Sequence, residues 1–419
     1  MNKMTVRDVE VAQKRVLVRV DFNVPRDPDT GEIVDDSRIK AALPTVRYLV
    51  EHGAKTILCS HLGRPKGKVV NELRLEFVAQ HLSQLLGQLV ETTADCIGPA
   101  VKETSERLKS GDILLLDNLR FHAEEEQNAD SFASALSQLA DIYVNDAFAA
   151  SHRAHASIVG IAHYLPAVAG FMLENEVNTL SGILENPKRP FAAILGGAKI
   201  SDKIGMMENI MDKADYVLIG GGMAATFLKA NHCETGHSLI DLDKLETVSR
   251  LMKKANGNGT VLSLPQDVVV SYNRSALSRP KIKCISKISR NSMIVDIGLA
   301  TIVEFYRILR KCQTIFWNGT MGIHEMPQFS GGTKNIAQFL ANLNAVTVVG
   351  GGSTAEAANG MGLADKMSFV STGGGATLEF LGAETLPGLD VLLSNSRTVV
   401  LADNRVYAQA RGIDQYIPG

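Results

Sequence analysis

Short apolar runs along this chain each end in a loop that carries polar, cationic or glycine residues. The first run, residues 16–20, is followed at once by Asp21-Phe22-Asn23, and the run 191–195 is followed by Gly196-Gly197. The same pattern recurs after residues 55–60, 113–116, 142–144 and 346–349. Open parallel α/β sheets bind ligands beyond the carboxyl ends of their strands. We therefore expect the residues of these loops to converge on ligands.

Amphipathic segments between the runs predict helices. Residues 39–52 place Ile39, Val46 and Leu49 on one face and end before Gly53, and residues 77–86 repeat the pattern before Gly87. Strand, loop and helix in alternation are typical of a parallel sheet with helices on both faces. The sequence therefore predicts an α/β fold with two Rossmann-like lobes of this kind.

One helical stretch, residues 173–184, interrupts the alternation, and Pro187 and Pro190 then prevent the helix from continuing. We interpret this stretch as a hinge helix between two sheets. The predicted organisation is an N-terminal lobe at 1–172, a hinge helix at 173–186 and a C-terminal lobe from 187. Strands of the second sheet are expected at 191–195, 216–219, 261–264, 314–316, 346–349 and 368–370.

Length, composition and charge narrow the class of protein. A chain of 419 residues favours two domains, and 45% hydrophobic with 21% charged residues is typical of a soluble globular protein. A net charge of −2 favours neither a nucleic-acid nor a membrane partner. The five cysteines form no CxxC pair, which argues against a disulfide framework or a zinc site. With no signal-peptide pattern at the N-terminus, we expect a cytoplasmic protein.

Cationic side chains occupy several loop positions of the first half: Arg38, His61, Arg64, Arg120, His152 and Arg153. Arginine forks bind phosphate and carboxylate groups, so four of them favour a small ligand that carries both. Any one arginine would fit a surface salt bridge equally well. Asp21 and Asn23 can hold a ligand hydroxyl. We interpret His122 and His155 as loop or capping residues, and Glu124-Glu125-Glu126 as helix-dipole residues rather than a metal site.

Glycine clusters characterise the second half. Gly196-Gly197-Ala198-Lys199 follows a predicted strand and opens a helix, with Lys203 four residues beyond Lys199. Backbone N–H groups of such a loop can approach phosphate oxygens. Further clusters lie at 220–222, 319–322, 350–352 and 373–375. One cluster fits a tight turn, but five indicate a surface against a bulky or phosphorylated ligand. Neither a Walker A string nor a dinucleotide fingerprint in strand context occurs.

In their order, these motifs resemble the phosphoglycerate kinase family over roughly residues 5 to 390. The matching strings are Val18-Arg19-Val20-Asp21-Phe22-Asn23-Val24-Pro25, Ser60-His61-Leu62-Gly63-Arg64-Pro65, Asn118-Leu119-Arg120-Phe121, Tyr143-Val144-Asn145-Asp146-Ala147-Phe148, Gly196-Gly197-Ala198-Lys199, Gly220-Gly221-Gly222-Met223-Ala224, Trp317-Asn318-Gly319 and Ser371-Thr372-Gly373-Gly374-Gly375. The resemblance implies a monomeric, two-lobed glycolytic kinase. It would transfer a phosphoryl group reversibly between 1,3-bisphosphoglycerate and ADP to give 3-phosphoglycerate and ATP, with Mg²⁺ on the nucleotide.

The resemblance also implies roles for individual residues. The residues expected to bind 3-phosphoglycerate are Asp21, Asn23, Arg38, His61, Arg64, Arg120 and Arg153. Those expected to bind Mg-ATP or Mg-ADP are Gly196, Gly197, Lys199, Lys203, Gly220, Gly221, Asn318, Glu325, Gly351, Gly352, Ser353 and Thr354, with Glu325 on the ribose. The residues expected to steady the phosphoryl group in flight are Arg38, Lys199, Lys203, Gly352 and Gly374.

The acceptor in this reaction is a carboxylate that is already ionised, so no general base is needed. Catalysis then rests on positioning and on neutralising charge. Closure of the two lobes about the hinge helix would bring the two substrates together and exclude water.

The chain departs from the family pattern in three places. Ser353 stands where an aspartate commonly holds the nucleotide-bound magnesium, so we expect weaker magnesium binding, through water. In the loop 318–325, Thr320 stands where a proline is usual and His324 where a phenylalanine is usual. We expect the loss of the proline to make the loop less rigid and His324 to change its apolar anchor. The family usually ends near Leu389, which limits the C-terminal lobe to 187–390 and leaves an extension at 391–419. Within this extension the sequence predicts a strand at 398–402 and a short helix at 405–411. We expect the extension to have no role in catalysis.

Two other functions fit parts of the pattern. A non-catalytic relative would bind the same ligands as a sensor, with Ser353 marking the lost activity, but the cationic positions are nearly all retained. An NAD-dependent dehydrogenase would share the two-lobed architecture, but it would not need four arginines.

Overall fold

The structure is a computed structural model that describes residues 1–27, 29–275 and 277–394. The described chain forms two compact units. One comprises Met1–Asn178 with residues 385–394, and the other Thr179–Glu384. The strand and helix predicted at 398–402 and 405–411 lie outside the described residues.

The first unit is built on a parallel sheet, which has six strands in the described residues, in the order β3-β4-β2-β1-β5-β6. Its strands are β1 (Arg15–Val20), β2 (Lys55–Cys59), β3 (Val90–Thr92), β4 (Ile113–Leu115), β5 (Ile142–Asp146) and β6 (Ala167–Ala169). Its helices are α1 (Ser37–Glu51), α2 (Glu76–Leu86), α3 (Pro99–Arg107), α4 (Ala123–Glu126) and α5 (Asp130–Ser137). Because the strands are parallel, their carboxyl ends lie along one edge of the sheet.

Strand β1 is central in this sheet and is buried on both faces, as expected for a parallel sheet covered by helices. Val16, Val18 and Val20 are fully buried in the same core cluster as Ile39 and Leu49 of α1. Arg19 is the exception in this strand, since its charged side chain has no exposed surface at all.

The helix predicted at 173–184 is observed as α6 (Phe171–Glu185), and the division between the two units falls within it. Asp146, at the end of β5, accepts hydrogen bonds from the first free amides of this helix, Met172 N at 2.9 Å and Leu173 N at 3.2 Å. Burial raises the pKa of the Asp146 carboxyl to about 6. The motif that includes Asp146 thus starts α6.

Residues 385–394 contact the first unit. Gly388 N donates to Ser151 O at 2.8 Å, and Leu393 N donates to Ala167 O of β6 at 2.9 Å. Asn145 at the end of β5 donates to Gly388 O at 3.0 Å. The sequence-based limits instead assigned 385–390 to the C-terminal lobe, because sequence order does not reveal that the chain returns.

The second unit also has a parallel sheet, with six strands among the described residues in the order β15-β14-β13-β7-β8-β9, and a separate antiparallel sheet ordered β11-β10-β12. The strands are β7 (Phe191–Leu195), β8 (Tyr216–Ile219), β9 (Val261–Ser263), β10 (Asp267–Ser271), β11 (Lys281–Cys284), β12 (Met293–Ile297), β13 (Thr314–Asn318), β14 (Val346–Gly350) and β15 (Phe369–Val370). The helices are α7 (Ile204–Met211), α8 (Met223–Ala230), α9 (Leu245–Asn258), α10 (Leu299–Leu309), α11 (Gly331–Leu340), α12 (Gly352–Gly360) and α13 (Gly375–Leu381).

The two parallel sheets confirm the predicted α/β class. The antiparallel sheet β10–β12 was not predicted. In the part of the chain that the structure describes, every helix is too short or too polar to cross a lipid bilayer.

Candidate functional site

The loops that follow β1 and β2 are joined at the carboxyl edge of the first sheet. Phe22 N donates to Ser60 Oγ at 2.8 Å, and Gly63 N donates to Asn23 Oδ1 at 2.9 Å. Asp21 is buried, and its carboxylate pairs with Arg38 Nη1 at 2.7 Å. The structure therefore brings Asp21, Asn23 and Arg38 together although α1 begins well after β1.

The loop after β4 holds the loop after β2 in place. Asn118 is buried and binds both backbone groups of Leu62, accepting from Leu62 N at 3.2 Å and donating to Leu62 O at 2.8 Å. Arg120 Nη1 donates to Gly63 O at 2.9 Å, and its Nε lies 3.2 Å from Glu126 Oε1. The loop that includes His61 is thus held by hydrogen bonds from the loop after β4.

Two of the predicted arginines are exposed and remain available for an anion. Within the described chain the Arg64 side chain has no hydrogen bond or ion pair. Among the described residues, the Arg153 side chain has one hydrogen bond, from its Nε to His152 Nε2 at 3.0 Å. The pKa of Arg120 is lowered mainly by burial and also by the nearby charges of Arg19 and Arg153, although Glu126 opposes this. This edge therefore carries positive charge that the described residues only partly neutralise.

A buried charged network lies behind this edge, and sequence reasoning missed it. Arg19 donates from Nε to Ser157 Oγ at 3.0 Å, and Ser157 Oγ donates to Glu125 Oε1 at 2.6 Å. Glu125 also accepts from Ser157 N at 2.9 Å and has no exposed surface. The network ends at His61, whose Nδ1 lies 3.1 Å from Arg19 Nη2.

The interpretation of Glu125 as a helix-dipole residue is therefore wrong. Helix α4 is only four residues long, and Glu125 points into the core while Glu124 and Glu126 are exposed. His155 is likewise buried, with Nδ1 3.8 Å from Glu125 Oε1, rather than in a surface loop. A usable signal was present, because Arg19 is a charged residue inside the otherwise apolar run 16–20.

In the second unit, the glycine loops after β7, β8 and β13 pack backbone against backbone. Gly197 N donates to Thr320 O at 2.9 Å, and Gly221 N donates to Met321 O at 3.0 Å. A Cβ on Gly196 would lie 2.3 Å from Thr320 O, and one on Gly221 would lie 2.5 Å from Gly197 N. No larger residue fits at these two positions.

These contacts correct the expected use of the glycines. The N–H groups of the four predicted nucleotide-binding residues Gly196, Gly197, Gly220 and Gly221 are all engaged with protein carbonyls. They are therefore not free to bind phosphate. The glycines allow three loops to approach one another, and a ligand at this edge would meet their α-carbons.

Lys203 lies against these loops and Lys199 projects from them. Lys203 Nζ donates to Asn318 Oδ1 and lies 3.4 Å from Asn318 O. Burial lowers the pKa of Lys203 to about 8. Lys199 is exposed and has no hydrogen bond or ion pair among the described residues. One lysine is thus fixed, and the other is available to a ligand.

Two predicted nucleotide-binding side chains are engaged in holding loops. Asn318 is buried, and its Nδ2 donates to Gly350 O of β14 at 2.9 Å. Thr354 is fully buried and accepts a hydrogen bond from Gly319 N at 2.6 Å. Both side chains therefore support the surface from behind.

The starts of α12 and α13 contain the remaining predicted residues. Gly351 has a positive φ of 90° before α12, and Gly374 has a positive φ of 54° before α13. Gly352 and Ser353 are exposed in the first turn of α12. The first amides of a helix have no partner within the helix and attract anions. A metal ion bound to a phosphate at this helix start would therefore lie near Ser353.

Glu325 lies in the loop after β13, with its side chain 68% exposed and its Oε1 3.3 Å from His324 Nδ1. Thr320 in the same loop is buried, and its carbonyl holds Gly197 as described. Asp296 at the end of β12 accepts from Gly332 N, at 2.6 Å, where the loop enters α11. The segment that includes Glu325 is therefore anchored at both ends.

The donor set suits a magnesium ion that the nucleotide carries. Ser353 offers an uncharged hard oxygen, and magnesium usually keeps several waters and binds substrate phosphates. Among the described residues, one group of three side chains could ligate a metal directly, namely Asp95, Cys96 and His122 in the first unit. In that group His122 Nε2 already pairs with Asp95 Oδ1 at 2.7 Å, and burial raises the pKa of the Cys96 thiol well above its usual value. These features disfavour the thiolate that a metal would require.

Comparison with known proteins agrees with this arrangement. The family model described as phosphoglycerate kinase matches residues 6–384. Phosphoglycerate kinases of Moorella thermoacetica and Thermomicrobium roseum are each 49% identical over 392 residues, which is 94% of this chain and 99% and 100% of theirs. The structure of phosphoglycerate kinase from Coxiella burnetii is 38% identical with a TM-score of 0.82, and that from Pyrococcus horikoshii is 33% identical with a TM-score of 0.80. Each alignment covers 93% of this chain and 98% of the solved one. The chain therefore belongs to the phosphoglycerate kinase family.

Proposed function

We propose that this protein transfers a phosphoryl group reversibly between 1,3-bisphosphoglycerate and ADP to give 3-phosphoglycerate and ATP. The observation that carries the proposal is the incompletely neutralised arginine set at the carboxyl edge of the first sheet. In a chain with a net charge of −2, this set is a local device for binding an anion. Family membership identifies the reaction, and the arginines indicate which unit binds the glycerate.

In the first unit, the exposed Arg64 and Arg153 bind the charged ends of 3-phosphoglycerate with Arg120 and His61. Asn23 is held by Gly63 through its Oδ1, which leaves its Nδ2 free to donate to the ligand hydroxyl. Asp21 orients Arg38 through their 2.7 Å pair. The Arg38 guanidinium then supplies charge at the phosphoryl group.

In the second unit, Lys199 and the first turns of α12 and α13 receive the nucleotide phosphates. The packed loops of Gly196, Gly197, Gly220 and Gly221 form the supporting surface. Glu325 is exposed beside this loop set and accepts from the ribose. Because the phosphoryl acceptor is an ionised carboxylate, no residue has to remove a proton, and the chain supplies position and charge.

A bound magnesium ion would neutralise charge on the nucleotide phosphates, and Ser353 would hold it through water.

We also propose that the protein acts as a monomer in the cytoplasm. All five cysteines are free, which fits a reducing compartment.

A coupled assay of ATP consumption with 3-phosphoglycerate tests the function. We expect turnover that requires both substrates and a divalent cation. Absence of turnover at saturating magnesium, with both ligands still binding, would favour the non-catalytic relative. Quenching of NADH fluorescence would instead favour the dehydrogenase, which the family match does not support.

Replacing Ser353 with aspartate is expected to tighten magnesium binding to the protein–ADP complex by about tenfold, because a carboxylate is a far better magnesium ligand than a hydroxyl. The measurement is a competition titration against Mn²⁺, followed by electron paramagnetic resonance, which does not depend on turnover. Ser353→Asn adds similar bulk without charge and should leave the affinity unchanged. Equal magnesium affinity in wild type and Ser353→Asp would contradict the placement of Ser353 beside the ion.

The pKa of about 8 for Lys203 predicts a pH dependence of nucleotide binding. Below this pKa the ammonium group attracts the phosphates, and above it the neutral amine does not. The dissociation constant of ADP should therefore rise by up to about tenfold from about pH 7 to about pH 9. Calorimetric titration at constant ionic strength measures it. Lys203→Arg keeps its charge over this range, so its ADP affinity should be nearly flat. An equally flat wild-type profile would show that Lys203 does not titrate at the phosphates.

A further inference from the structure

Arg19 is a charged side chain with no exposed surface, and none of the roles proposed above uses it. It lies in β1, in the center of the first sheet, and its three kinds of N–H group have separate partners. Nε donates to Ser157 Oγ at 3.0 Å, Nη1 donates to Val20 O, and Nη2 lies 3.1 Å from His61 Nδ1. The last contact reaches a residue of the predicted substrate-binding set.

The chemistry of the guanidinium determines the direction of that last hydrogen bond. A guanidinium stays protonated in proteins and carries donors only, so Arg19 Nη2 has no lone pair to offer His61. His61 Nδ1 must then be the acceptor and carry no proton. A histidine with a bare Nδ1 is neutral and has its one ring proton on Nε2.

The hydrogen bonds on the other branch of the network also run outward from Arg19. Ser157 Oγ accepts from Arg19, so its own proton is directed to Glu125 Oε1, 2.6 Å away. Tyr143 Oη donates to Ser157 O at 2.8 Å and holds that residue in place. The hydrogen bonds therefore start at Arg19 and end at Glu125 on one branch and at His61 on the other. Reversing the His61 bond would set two donors against each other.

The charged groups around His61 also oppose a second ring proton. Burial lowers the pKa of His61 well below its usual value, and the charges of Arg19, Arg120 and Arg38 and the nearby His155 act in the same direction. His61 Nε2 has no hydrogen-bond partner within the described chain and is not among its buried unpartnered polar atoms. The imidazole is therefore neutral, and its other nitrogen is open to a ligand.

We propose that Arg19 is a positioning residue that fixes His61 as the neutral Nε2–H tautomer, so that His61 presents a permanent hydrogen-bond donor at the anion-binding edge. That the ligand is 3-phosphoglycerate rests on the proposed function, whereas the tautomer does not. His61 then binds an oxyanion or a hydroxyl oxygen by a hydrogen bond rather than by charge. It cannot act as a base toward the ligand, because Nε2 carries the ring proton and the lone pair of Nδ1 accepts from Arg19 Nη2.

The tautomer can be read directly in the intact wild-type protein. With ¹⁵N-labelled histidine, long-range ¹H–¹⁵N correlation spectra separate a bare ring nitrogen from a protonated one. We expect a bare Nδ1 and a protonated Nε2 for His61. A protonated Nδ1 in this spectrum would overturn the proposal without any variant or activity assay.

Variants of Arg19 test whether it causes the tautomer. In Arg19→Met we expect His61 to lose its single tautomer, because Nδ1 no longer faces an obligatory hydrogen-bond donor. The KM for 3-phosphoglycerate should rise about tenfold while kcat changes little, because one ground-state hydrogen bond is lost. Arg19→Lys retains a cationic donor and should restore the wild-type tautomer. Arg15→Met removes an arginine from the same strand at its opposite end and should behave as wild type.

The possible outcomes separate this proposal from the proposed function. A wild-type tautomer in a folded Arg19→Met protein overturns the positioning role. If Arg19→Met does not fold, the wild-type spectrum and Arg19→Lys still decide. If the wild type shows the expected tautomer but no turnover with 3-phosphoglycerate, the proposed function fails and the assignment of His61 stands.

Discussion

Replacing Arg38 with alanine is expected to lower kcat by about 10²- to 10³-fold, with a smaller change in the KM for ADP. The Arg38 guanidinium is oriented by the buried Asp21 through a 2.7 Å ion pair, so it is held in position before substrate arrives. Removal of one preorganised donor from a site of developing charge typically has an effect of this size. Steady-state kinetics with both substrates varied give the two constants.

Two controls isolate the loss of charge at this position. Arg38→Lys keeps a cation but not the fork, and we expect partial activity from it. Arg47→Ala removes an exposed arginine from the same helix, α1, and should leave kcat unchanged. Because Arg38→Ala leaves Asp21 buried without its partner, thermal unfolding must accompany the kinetics. A folded Arg38→Ala protein with wild-type kcat would contradict the role of Arg38 in phosphoryl transfer.

The strand positions were predictable because both sheets are parallel and covered on both faces. Under that condition a central strand is a continuous apolar run, and the strand predicted at 191–195 is observed as β7 with those bounds. The ends of β5 and β13 were placed too early. Each of these strands finishes with polar residues, such as Asn145 and Asn318, that are buried by side-chain hydrogen bonds.

Strand β11 of the antiparallel sheet could not be found by the same reasoning, although β10 and β12 are largely buried. Strand β11 is exposed along its whole length and reads Lys281-Ile282-Lys283-Cys284, which has no apolar run. Its partner β10 contributes Val268 and Val270 to a buried apolar cluster with Ala225 and Leu228 of α8 and Ile294 of β12. An edge strand of this kind is defined by backbone pairing, and local sequence contains little information on such pairing.

Residue type and position after a strand led to the prediction that Arg38, His61 and the glycine loops bind ligands. Neither shows which polar atoms are already satisfied, since that depends on the fold. The amides of Gly196 and Gly197 and the side chain of Thr354 bind other loops.

The buried charges of the first unit follow the same principle. A glutamate in an acidic run is usually exposed, and only the fold shows that Glu125 is turned inward to Ser157 while Arg19 enters from β1. Arg19 lies next to His61, and Glu125 lies deeper in the core on the other side of Ser157. The buried network therefore contains both a cation, Arg19, and an acidic group, Glu125, and it contacts the anion-binding loops through His61.

Replacing Glu125 with alanine is expected to lower the free energy of unfolding by about 3–5 kcal/mol, which is typical when one charged member of a buried network is removed; here Ser157 connects Glu125 to Arg19. Burial raises the pKa of the Glu125 carboxyl, while the Arg19 charge and two hydrogen bonds from Ser157 oppose this. Without the carboxylate, Arg19 is left as a buried cation, and Ser157 loses the acceptor of its hydroxyl. Urea denaturation followed by circular dichroism measures the change.

Glu124→Ala is the matched control, because Glu124 is the exposed neighbour in the same short helix and should change stability by less than about 0.5 kcal/mol. The double variant Glu125→Ala with Arg19→Met removes both charges, so we expect it to be more stable than the sum of the two single losses predicts. Strict additivity would mean that the two charges do not compensate each other. A Glu125→Ala protein as stable as Glu124→Ala would contradict the buried network itself, since a fully buried carboxylate with three hydrogen-bonded or charged neighbours cannot be removed without cost.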